Sequence, residues 1–205
     1  RRILKNESAS LSPRAHESLE VVTRNSLHLL SLINDLLDLS KVEAGKFTLE
    51  FSSFDLVEML REVESQFALE ASSKGLHWMV NMPSQPLQIT ADRQRLMQVL
   101  INLASNAIKF TQQGEVCLAV AERSVNGVRG IEFSMRDTGM GIAREDIPRL
   151  FNKFEQLKNR NQGSLRGTGL GLALAKEIIT LHQGTVRVES TLGSGSIFYV
   201  WIPLQ

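Results

Sequence analysis

A single long amphipathic helix is the feature that most constrains the fold of this chain. Residues 12–45 carry apolar side chains at alternating steps of three and four, the spacing of one helical face. Ser12-Pro13 is typical of a helix start, and Gly45 of a helix end. The apolar face comprises Leu19, Val22, Leu29, Ile33 and Leu36, and it is widened by Leu30, Leu32, Leu37 and Leu39. One helix cannot bury so broad a face, so we expect a bundle or coiled coil completed by another chain, by residues outside this sequence, or by both.

The composition narrows the class of protein. The chain has 205 residues, of which 42% are apolar and 22% are charged, as in an ordinary globular protein. The net charge of +1 provides no basic field, so no nucleic-acid partner is expected. The single cysteine, Cys117, excludes an internal disulfide. No apolar run approaches the ~20 residues that span a bilayer. We therefore expect a cytoplasmic domain, while its parent protein can still be anchored in the inner membrane.

From Phe47 onward, helical and strand patterns interleave. Three helices are predicted: one capped by Asp55 and ending near Lys74-Gly75, one over 92–110, and one that starts near Gly169 and ends at Gln183-Gly184. Strands are predicted at 47–51, 77–81, 87–90, 116–122, 130–136, 185–190 and 196–202, with turns at Asn126-Gly127 and Gly193-Ser194-Gly195. Because hairpins recur among the helices, this order predicts an α+β fold, with helices layered on a mixed, largely antiparallel sheet.

Three polar residues line one face of the helix predicted at 92–110. Asn102, Asn106 and Lys109 lie at positions i, i+4 and i+7. The apolar residues around the rest of the helix include Leu96, Val99, Leu100 and Leu103. Carboxamide oxygens are hard ligands suited to Mg²⁺, and a lysine supplies a point charge for phosphate. Taken alone, such a stripe is also what a solvated helix face shows.

A glycine-containing turn follows the strand predicted at 130–136. It reads Asp137-Thr138-Gly139-Met140-Gly141-Ile142. The two glycines allow the backbone to approach a ligand closely, and an aspartate at a strand end can accept a hydrogen bond from an exocyclic amine such as that of adenine. Alone, the pattern is a common turn.

A second glycine-rich segment, Gly167-Thr168-Gly169-Leu170-Gly171-Leu172, runs into the last predicted helix. Glycines before a helix expose backbone N–H groups to an anion, and the helix dipole favours phosphate at that end. The segment is neither a dinucleotide fingerprint, since the surrounding βαβ unit is missing, nor a Walker loop, since Gly-Lys-Ser/Thr is missing.

The fourth motif is Phe151-Asn152-Lys153-Phe154, followed by a polar, aperiodic stretch over 155–166. Such a stretch before a phosphate loop is typical of a mobile lid, and equally of a plain surface loop. Its basic residues Lys158, Arg160 and Arg166, together with Lys153, would bring positive charge over phosphates.

In order and spacing, the four motifs resemble the N, G1, F and G2 boxes of sensor histidine kinases. Residues 29–46 are similar to the second dimerisation helix of hybrid-type histidine kinases, and Phe54-Asp55-Leu56, Lys74-Gly75-Leu76 and 92–96 also match. The resemblance covers the chain from about residue 12. It implies that residues 1–46 are part of a dimerisation and histidine-phosphotransfer hairpin, and that residues 47–205 are an ATP-binding catalytic domain with the two-layer Bergerat fold.

The resemblance also implies roles for individual residues. Asn106 would bind Mg²⁺, Asn102 would lie beside the phosphates and Lys109 would contact them, so these three would be catalytic. Asp137 would bond the adenine amine, and the glycine-rich loop would bind phosphates through backbone amides. The implied ATP-site residues are Asn102, Asn106, Lys109, Phe110, Asp137, Gly139, Gly141, Ile142, Lys153, Phe154, Arg166, Gly167, Thr168, Gly169, Leu170, Gly171 and Leu172.

The implied activity is transfer of the γ-phosphoryl of Mg-ATP to a histidine on a dimerisation helix, for relay to a response regulator receiver domain. The family's His-Glu-x-x-Thr-Pro-like acceptor box is missing from this sequence, and we interpret all four histidines as structural or surface residues. The acceptor helix is therefore a partner, and a homodimer is expected for the parent protein. Two alternatives are a regulatory module that only binds nucleotide or helices, and a hydrolysing ATPase. Related ATPases carry a glutamate that activates water where this chain has Asn102, which speaks against hydrolysis.

Overall fold

The computed structural model describes residues 12–156 and 168–204, which fall into two compact units divided between Phe47 and Thr48. This division lies one residue from the boundary expected from the sequence. The described part of the first unit, residues 12–47, is one long helix and the segment that follows it, and the second unit contains a layered α+β domain.

The first unit is built on helix α1, Pro13–Glu43. The Ser12 hydroxyl caps it by accepting a hydrogen bond from the backbone N–H of Ala15 at 3.3 Å, and Gly45 ends it with a φ of +63°. Among the side chains of this helix that the structure describes, the exposed large apolar ones are Val21, Val22, Leu29, Leu30, Ile33, Leu36 and Leu37. Among the described residues, no helix is both long and apolar enough to cross a membrane.

The second unit alternates short strands with helices. Its strands are β1 Ser52–Asp55, β2 His77–Asn81, β3 Gln88–Ala91, β4 Glu115–Val125, β5 Val128–Asp137, β6 Thr185–Thr191 and β7 Gly195–Pro203. Its helices are α2 Leu56–Ser73, α3 Arg93–Phe110 and α4 Gly171–Leu181, with a 3₁₀ turn at Ile147–Arg149. These positions agree with the sequence prediction except for the strand expected at 47–51.

Five strands form one sheet in the order β2-β4-β5-β7-β6. Only the β2–β4 pair is parallel, and the other three pairs are antiparallel. Strands β1 and β3 form a separate antiparallel pair. The expectation of helices on a mixed, largely antiparallel sheet is confirmed.

The core of the second unit lies between the helices and one face of this sheet. Alternate residues of the central strands point into it, and so do one stripe of each helix. The fully buried large side chains are Phe133, Leu56, Met59, Leu60, Leu96, Leu100, Ile108, Leu118, Ile131, Met135, Ile178 and Ile179. Burial of a side chain of this kind contributes about 1.5–3 kcal/mol, so the core fixes how the helices lie on the sheet.

Both tryptophans of the chain lie in the second unit and tie elements together. The indole N–H of Trp78 on β2 donates to the Glu64 carbonyl of α2 at 3.0 Å, and its ring packs edge-on against Phe67. The indole of Trp201 on β7 donates to the Arg123 carbonyl of β4 at 3.0 Å. Each indole is therefore held by the backbone of a different element.

The predicted strand at 47–51 is wrong. Residues 47–51 are irregular, and the strand is Ser52–Asp55. The pairing with β3 determines this position, because Asp55 both ends the strand and caps α2, and its carboxylate also accepts from the Leu87 N–H at 3.2 Å. Alternating apolar residues indicate a strand, but they do not show where its partner lies.

The last helix, expected to start near Gly169, begins two residues later. Gly169 has a φ of +70°, which is outside the helical region, and α4 begins at Gly171. The predicted hairpin turn is also confirmed, because Asn126 and Gly127 have φ values of 51° and 81° between β4 and β5. Two successive positive φ values are the signature of the tight hairpin turn that Asn-Gly favours.

Candidate functional site

Two carboxamides on α3 orient each other. The side-chain nitrogen of Asn106 donates to Oδ1 of Asn102 at 3.1 Å, one helical turn away, and both side chains are half-buried. This bond uses the nitrogen of Asn106 and leaves its oxygen as the atom that can bind a cation. The polar stripe predicted from the sequence is thus a connected pair rather than separate solvated groups.

Lys109 lies at the end of the same helix in a positive environment. Burial lowers its pKa, and the neighbouring charge of Lys74 lowers the pKa further. The ammonium of Lys74 donates to the Ile108 carbonyl at 3.1 Å, and that of Lys109 lies 5.1 Å from the centre of the Phe110 ring. Two cations at one helix end would favour an anion there.

Asp137 is buried where β5 ends. Burial raises the pKa of this carboxyl, and hydrogen bonds from the backbone N–H groups of Gly139 and Ser196 oppose that rise. The Gly139 bond to Oδ1 is 2.8 Å long. A Cβ on Gly139 would lie 2.5 Å from the Phe110 carbonyl, so only glycine lets this turn meet the end of α3. The second motif therefore lies directly against the first.

Residues in and beside the turn between β6 and β7 form hydrogen bonds with the 137–142 loop. The Gly193 N–H donates to the Met140 carbonyl at 2.7 Å, and the Ile142 N–H donates to the Ser190 hydroxyl at 2.8 Å. A Cβ on Gly141 would lie 2.0 Å from the Thr191 carbonyl. We did not predict these contacts. The glycines of that turn were visible in the sequence, but their partners are more than 40 positions away along the chain.

The glycine-rich segment before α4 meets the polar face of α3. A Cβ on Gly171 would lie 2.6 Å from both amide atoms of Asn102. The N-cap residue of α4 is Leu170, whose apolar side chain cannot accept the N–H groups of the first turn. The backbone N–H groups at the start of α4 therefore lie beside the Asn102–Asn106 pair and are suited to an anion.

The fourth motif joins the same segment. The Phe154 N–H donates to the Gly169 carbonyl at 2.9 Å, and Leu170 N–H donates to the Thr168 hydroxyl at 3.1 Å. Phe154 has a φ of 60°, and its ring is 65% exposed. Lys153 is exposed next to it. The phenylalanine is thus held by its backbone while its ring faces solvent.

The four motifs meet in pairs: the 137–142 loop meets Phe110, Gly171 meets Asn102, and Phe154 meets Gly169. Of the remaining predicted residues, Ile142, Thr168 and Leu172 are half-buried in these segments. Arg166 and Gly167 lie outside the described residues, as do Lys158 and Arg160. The structure therefore places most of the predicted set around the C-terminal half of α3 and the start of α4.

His182, at the end of α4, has the contacts of a structural histidine. Its Nε2 accepts the backbone N–H of Asp92 at 3.1 Å, so Nδ1 carries the proton and donates to the Ile178 carbonyl at 2.8 Å. The ring is buried and ties the end of α4 to the start of α3. It thereby supports the pair of helices that carries Asn102 and Gly171.

Comparison with known proteins agrees with this arrangement. The family described as "Histidine kinase-, DNA gyrase B-, and HSP90-like ATPase" matches residues 91–205. The circadian input-output histidine kinase CikA of Synechococcus elongatus is 41% identical over 95% of this chain, and the sensor protein GacS of Pseudomonas syringae pv. syringae is 38% identical over 97%. The chain spans only 26% and 22% of the lengths of these two relatives.

Solved structures show the same similarity. Full-length ShkA in complex with AMPPNP superposes with a TM-score of 0.75 and 32% identity, covering 97% of this chain and 40% of that one. The nucleotide-free catalytic domain of the histidine kinase ThkA superposes with a TM-score of 0.64 and 28% identity, covering 76% of this chain and 97% of that domain. The second unit therefore has the fold of a histidine kinase catalytic domain.

Proposed function

This chain belongs to the histidine kinase-, DNA gyrase B- and HSP90-like ATPase family, and from that premise we propose that it binds Mg-ATP and transfers the γ-phosphoryl group to a histidine on a dimerisation helix. The observation that carries the proposal is the contact between Asn102 and Gly171. It brings a carboxamide pair and the amide-rich start of α4 to one place, as a triphosphate and its metal ion require. That ShkA was solved with AMPPNP, an ATP analogue, supports ATP as the ligand.

We assign base recognition to the 137–142 loop. Asp137 already accepts two backbone N–H groups, which favour its ionised form and aim the carboxylate. The ionised carboxylate would accept a hydrogen bond from the exocyclic amine of adenine. Guanine would place a carbonyl oxygen there, and two acceptors cannot form a hydrogen bond with each other. Gly139, Gly141 and Ile142 let the backbone approach the ring closely.

Asn106 fits a magnesium ligand because its Oδ1 is left over from the bond to Asn102 and is a hard oxygen donor. When bound, Mg²⁺ neutralises phosphate charge and orients the triphosphate. The chain's own part is to hold that carboxamide in place, to supply the positive charge of Lys109 and to offer the N–H groups at the start of α4. In the transfer, the bond from the γ-phosphorus to the β–γ bridging oxygen breaks as a histidine nitrogen attacks, and ADP leaves.

Asn102 favours transfer over hydrolysis. A carboxamide is not a base, and this one is fixed against Gly171 and bonded to Asn106. This side chain could not take a proton from a neighbouring water molecule and so would not activate that water for attack on the phosphate. The γ-phosphoryl would therefore survive until an acceptor histidine arrives.

The first unit supplies the link to the parent protein. The exposed apolar residues of α1, such as Leu29, Ile33 and Leu36, form the face that we assign to a helical bundle with the acceptor helix and with a second copy. Because the chain covers about a quarter of its curated relatives, this dimer, the relay to a receiver domain and a cytoplasmic position within a membrane-anchored parent are proposals about the whole protein.

A reconstitution experiment tests the proposed activity. The chain is mixed with a separately produced acceptor hairpin of a related kinase, Mg²⁺ and ATP labelled at the γ-phosphate. We expect label on the hairpin that is lost in acid and retained in base, as phosphohistidine behaves, with one ADP formed per transfer. A hairpin whose acceptor histidine is replaced by glutamine is the control and should stay unlabelled.

The two alternative functions, a regulatory module and a hydrolysing ATPase, would give different results in the same reconstitution experiment. ATP binding without transfer to any acceptor hairpin would indicate a regulatory module. Steady phosphate release that does not depend on the hairpin would indicate a hydrolysing ATPase, and an absence of ATP binding would contradict the proposal altogether.

A further inference from the structure

Ser190 on β6 makes every hydrogen bond that its hydroxyl can make. It donates to the Gly195 carbonyl at 2.8 Å and accepts from the Ile142 N–H at 2.8 Å. Its remaining lone pair lies 3.0 Å from the hydroxyl of Ser196, which therefore donates to it. One small side chain thus joins the end of β6, the start of β7 and the loop that follows β5.

These bonds are one end of a clamp on the 137–142 loop. At the other end, the backbone N–H of Ser196 donates to the Asp137 carboxylate, and a Cβ on Gly195 would lie 2.0 Å from the Asp137 carbonyl. Between them, the Gly193 N–H holds the Met140 carbonyl. The β6–β7 turn and the strand ends beside it therefore fix the start, the middle and the end of the loop, and the Ser190 hydroxyl fixes the end.

We propose that Ser190 is a positioning residue for base recognition, which it serves without touching the nucleotide by holding Ile142 and the two neighbouring strand ends in the arrangement that aims Asp137. The proposal rests on the function proposed above. It adds a residue outside the four motifs and assigns it to the base rather than to the phosphates. Within the part of the chain that the structure describes, the hydrogen bonds of the Ser190 hydroxyl go to Ile142, Gly195 and Ser196, and none goes to the phosphate elements at Asn106 and at the start of α4.

Replacing Ser190 with alanine removes all three bonds at once. The half-buried Ile142 N–H and the Gly195 carbonyl then lose their partner, and the end of the loop is released from the turn. If the loop is correctly arranged for only a fraction of the time, the apparent affinity for a ligand that needs the loop falls to that same fraction of its full value. The loss should therefore fall on ligands that use the loop and spare those that do not.

The test compares two probes in the full chain by calorimetry with Mg²⁺ present. For Ser190→Ala we expect ATP to bind about 10-fold more weakly, which corresponds to an aligned loop for about a tenth of the time, while inorganic tripolyphosphate binds as it does to the unchanged protein. Ser194→Ala is the matched control, because Ser194 lies in the same turn and is exposed. It should leave both affinities unchanged.

Two results would overturn the proposal. Unchanged ATP affinity in Ser190→Ala would show that the hydroxyl does not aim the loop. An equal loss for ATP and tripolyphosphate would show a general structural role instead. Failure of the proposed function looks different, because the unchanged protein itself would then bind no ATP.

Discussion

At the residue scale, Asn106 has one available oxygen and a fixed orientation. Asn106→Ala removes that oxygen, and it also removes the bond to Asn102. We expect magnesium-dependent ATP affinity to fall by about 100-fold or more, because about 10–100-fold is the usual loss for residues that only support a metal ligand and Asn106 is the proposed ligand itself. Titration calorimetry with and without Mg²⁺ measures the effect.

The matched control for Asn106→Ala is Ser105→Ala, which changes the neighbouring, exposed position of the same helix. It should leave ATP affinity and its magnesium dependence as they are. If Asn106→Ala bound Mg-ATP normally, the assignment of Asn106 as the metal ligand would be wrong.

If Asp137 recognises adenine as proposed, ATP binding should depend on pH. Burial raises the pKa of Asp137 above the ordinary value of 3.8, and the ionised form is the stronger acceptor for the adenine amine. ATP affinity should therefore decline as the pH falls through that raised pKa. The free energy of unfolding changes in the opposite sense. The carboxyl contributes stability below 3.8 because the folded state holds the proton more tightly, and this contribution is lost as the pH rises through the raised pKa.

Asp137→Asn isolates this carboxylate. An amide oxygen is a weaker acceptor than a carboxylate, so ATP affinity near neutral pH should fall about 10-fold or more. The pH dependence of binding that Asp137 causes should disappear with it. Affinities measured from pH 4 to pH 8 in both proteins check this, and a variant that kept the slope of the unchanged protein would assign it to another group.

At the element scale, the site depends on how closely α4 approaches α3. Gly171→Ala favours helix formation by up to about 1 kcal/mol, yet its Cβ would meet Asn102 at 2.6 Å. Asn102 would have to turn away from Asn106. We expect unchanged or slightly raised thermal stability together with ATP binding weakened about 10-fold, the loss that follows if the pair is aligned a tenth of the time.

Thr180→Ala provides the control for Gly171→Ala. It also places alanine in α4, at an exposed position near the far end of the helix. Stability should hold and ATP binding should stay normal. Comparable weakening in both variants would mean that α4 as a whole is affected, and the contact between Gly171 and Asn102 would lose its assigned importance.

The elements that the sequence predicted well are those with local chemical signals. Ser12 and Asp55 accept N–H groups at the starts of α1 and α2, and Asn126-Gly127 forms the β4–β5 turn. The element it misplaced, β1, is positioned by a partner strand. Pairing with β3 places the strand at 52–55, and the alternating residues just before it carry no trace of that pairing.

The candidate site follows the same division. Its motifs could be read because glycine, asparagine and aspartate carry their chemistry locally. The clamp behind the 137–142 loop could not be read, since Ser190 lies 48 positions after Ile142 and a serine in a strand is ordinary. The packing of the whole domain determines which segments contact each other, and the sequence of a single segment does not reveal that packing.

At the scale of the whole molecule, we expect the second unit to fold and to bind Mg-ATP without the first. Residues 48–205 have their own core and contain every proposed ATP-site residue. Produced alone, they should bind Mg-ATP within about threefold of the full chain, as expected when a domain folds by itself. Calorimetry on both proteins is the measurement.

The same fragment also tests the division of labour between the units. It should not phosphorylate an acceptor hairpin as well as the full chain does, because α1 and its exposed apolar face are gone. Equal transfer by both proteins would show that α1 takes no part in presenting the acceptor, and ATP binding confined to the full chain would show that the two units are not independent.

The placement of the two indoles has a practical consequence. Trp78 and Trp201 are each held by the backbone of a neighbouring element within the second unit, and residues 1–47 contain no tryptophan. Tryptophan fluorescence excited at the red edge of indole absorbance therefore reports on the α+β domain alone, because α1 contributes nothing to it. Far-ultraviolet dichroism registers both units, so any gap between the two melting curves gives the melting of α1 directly, without a label or a substitution.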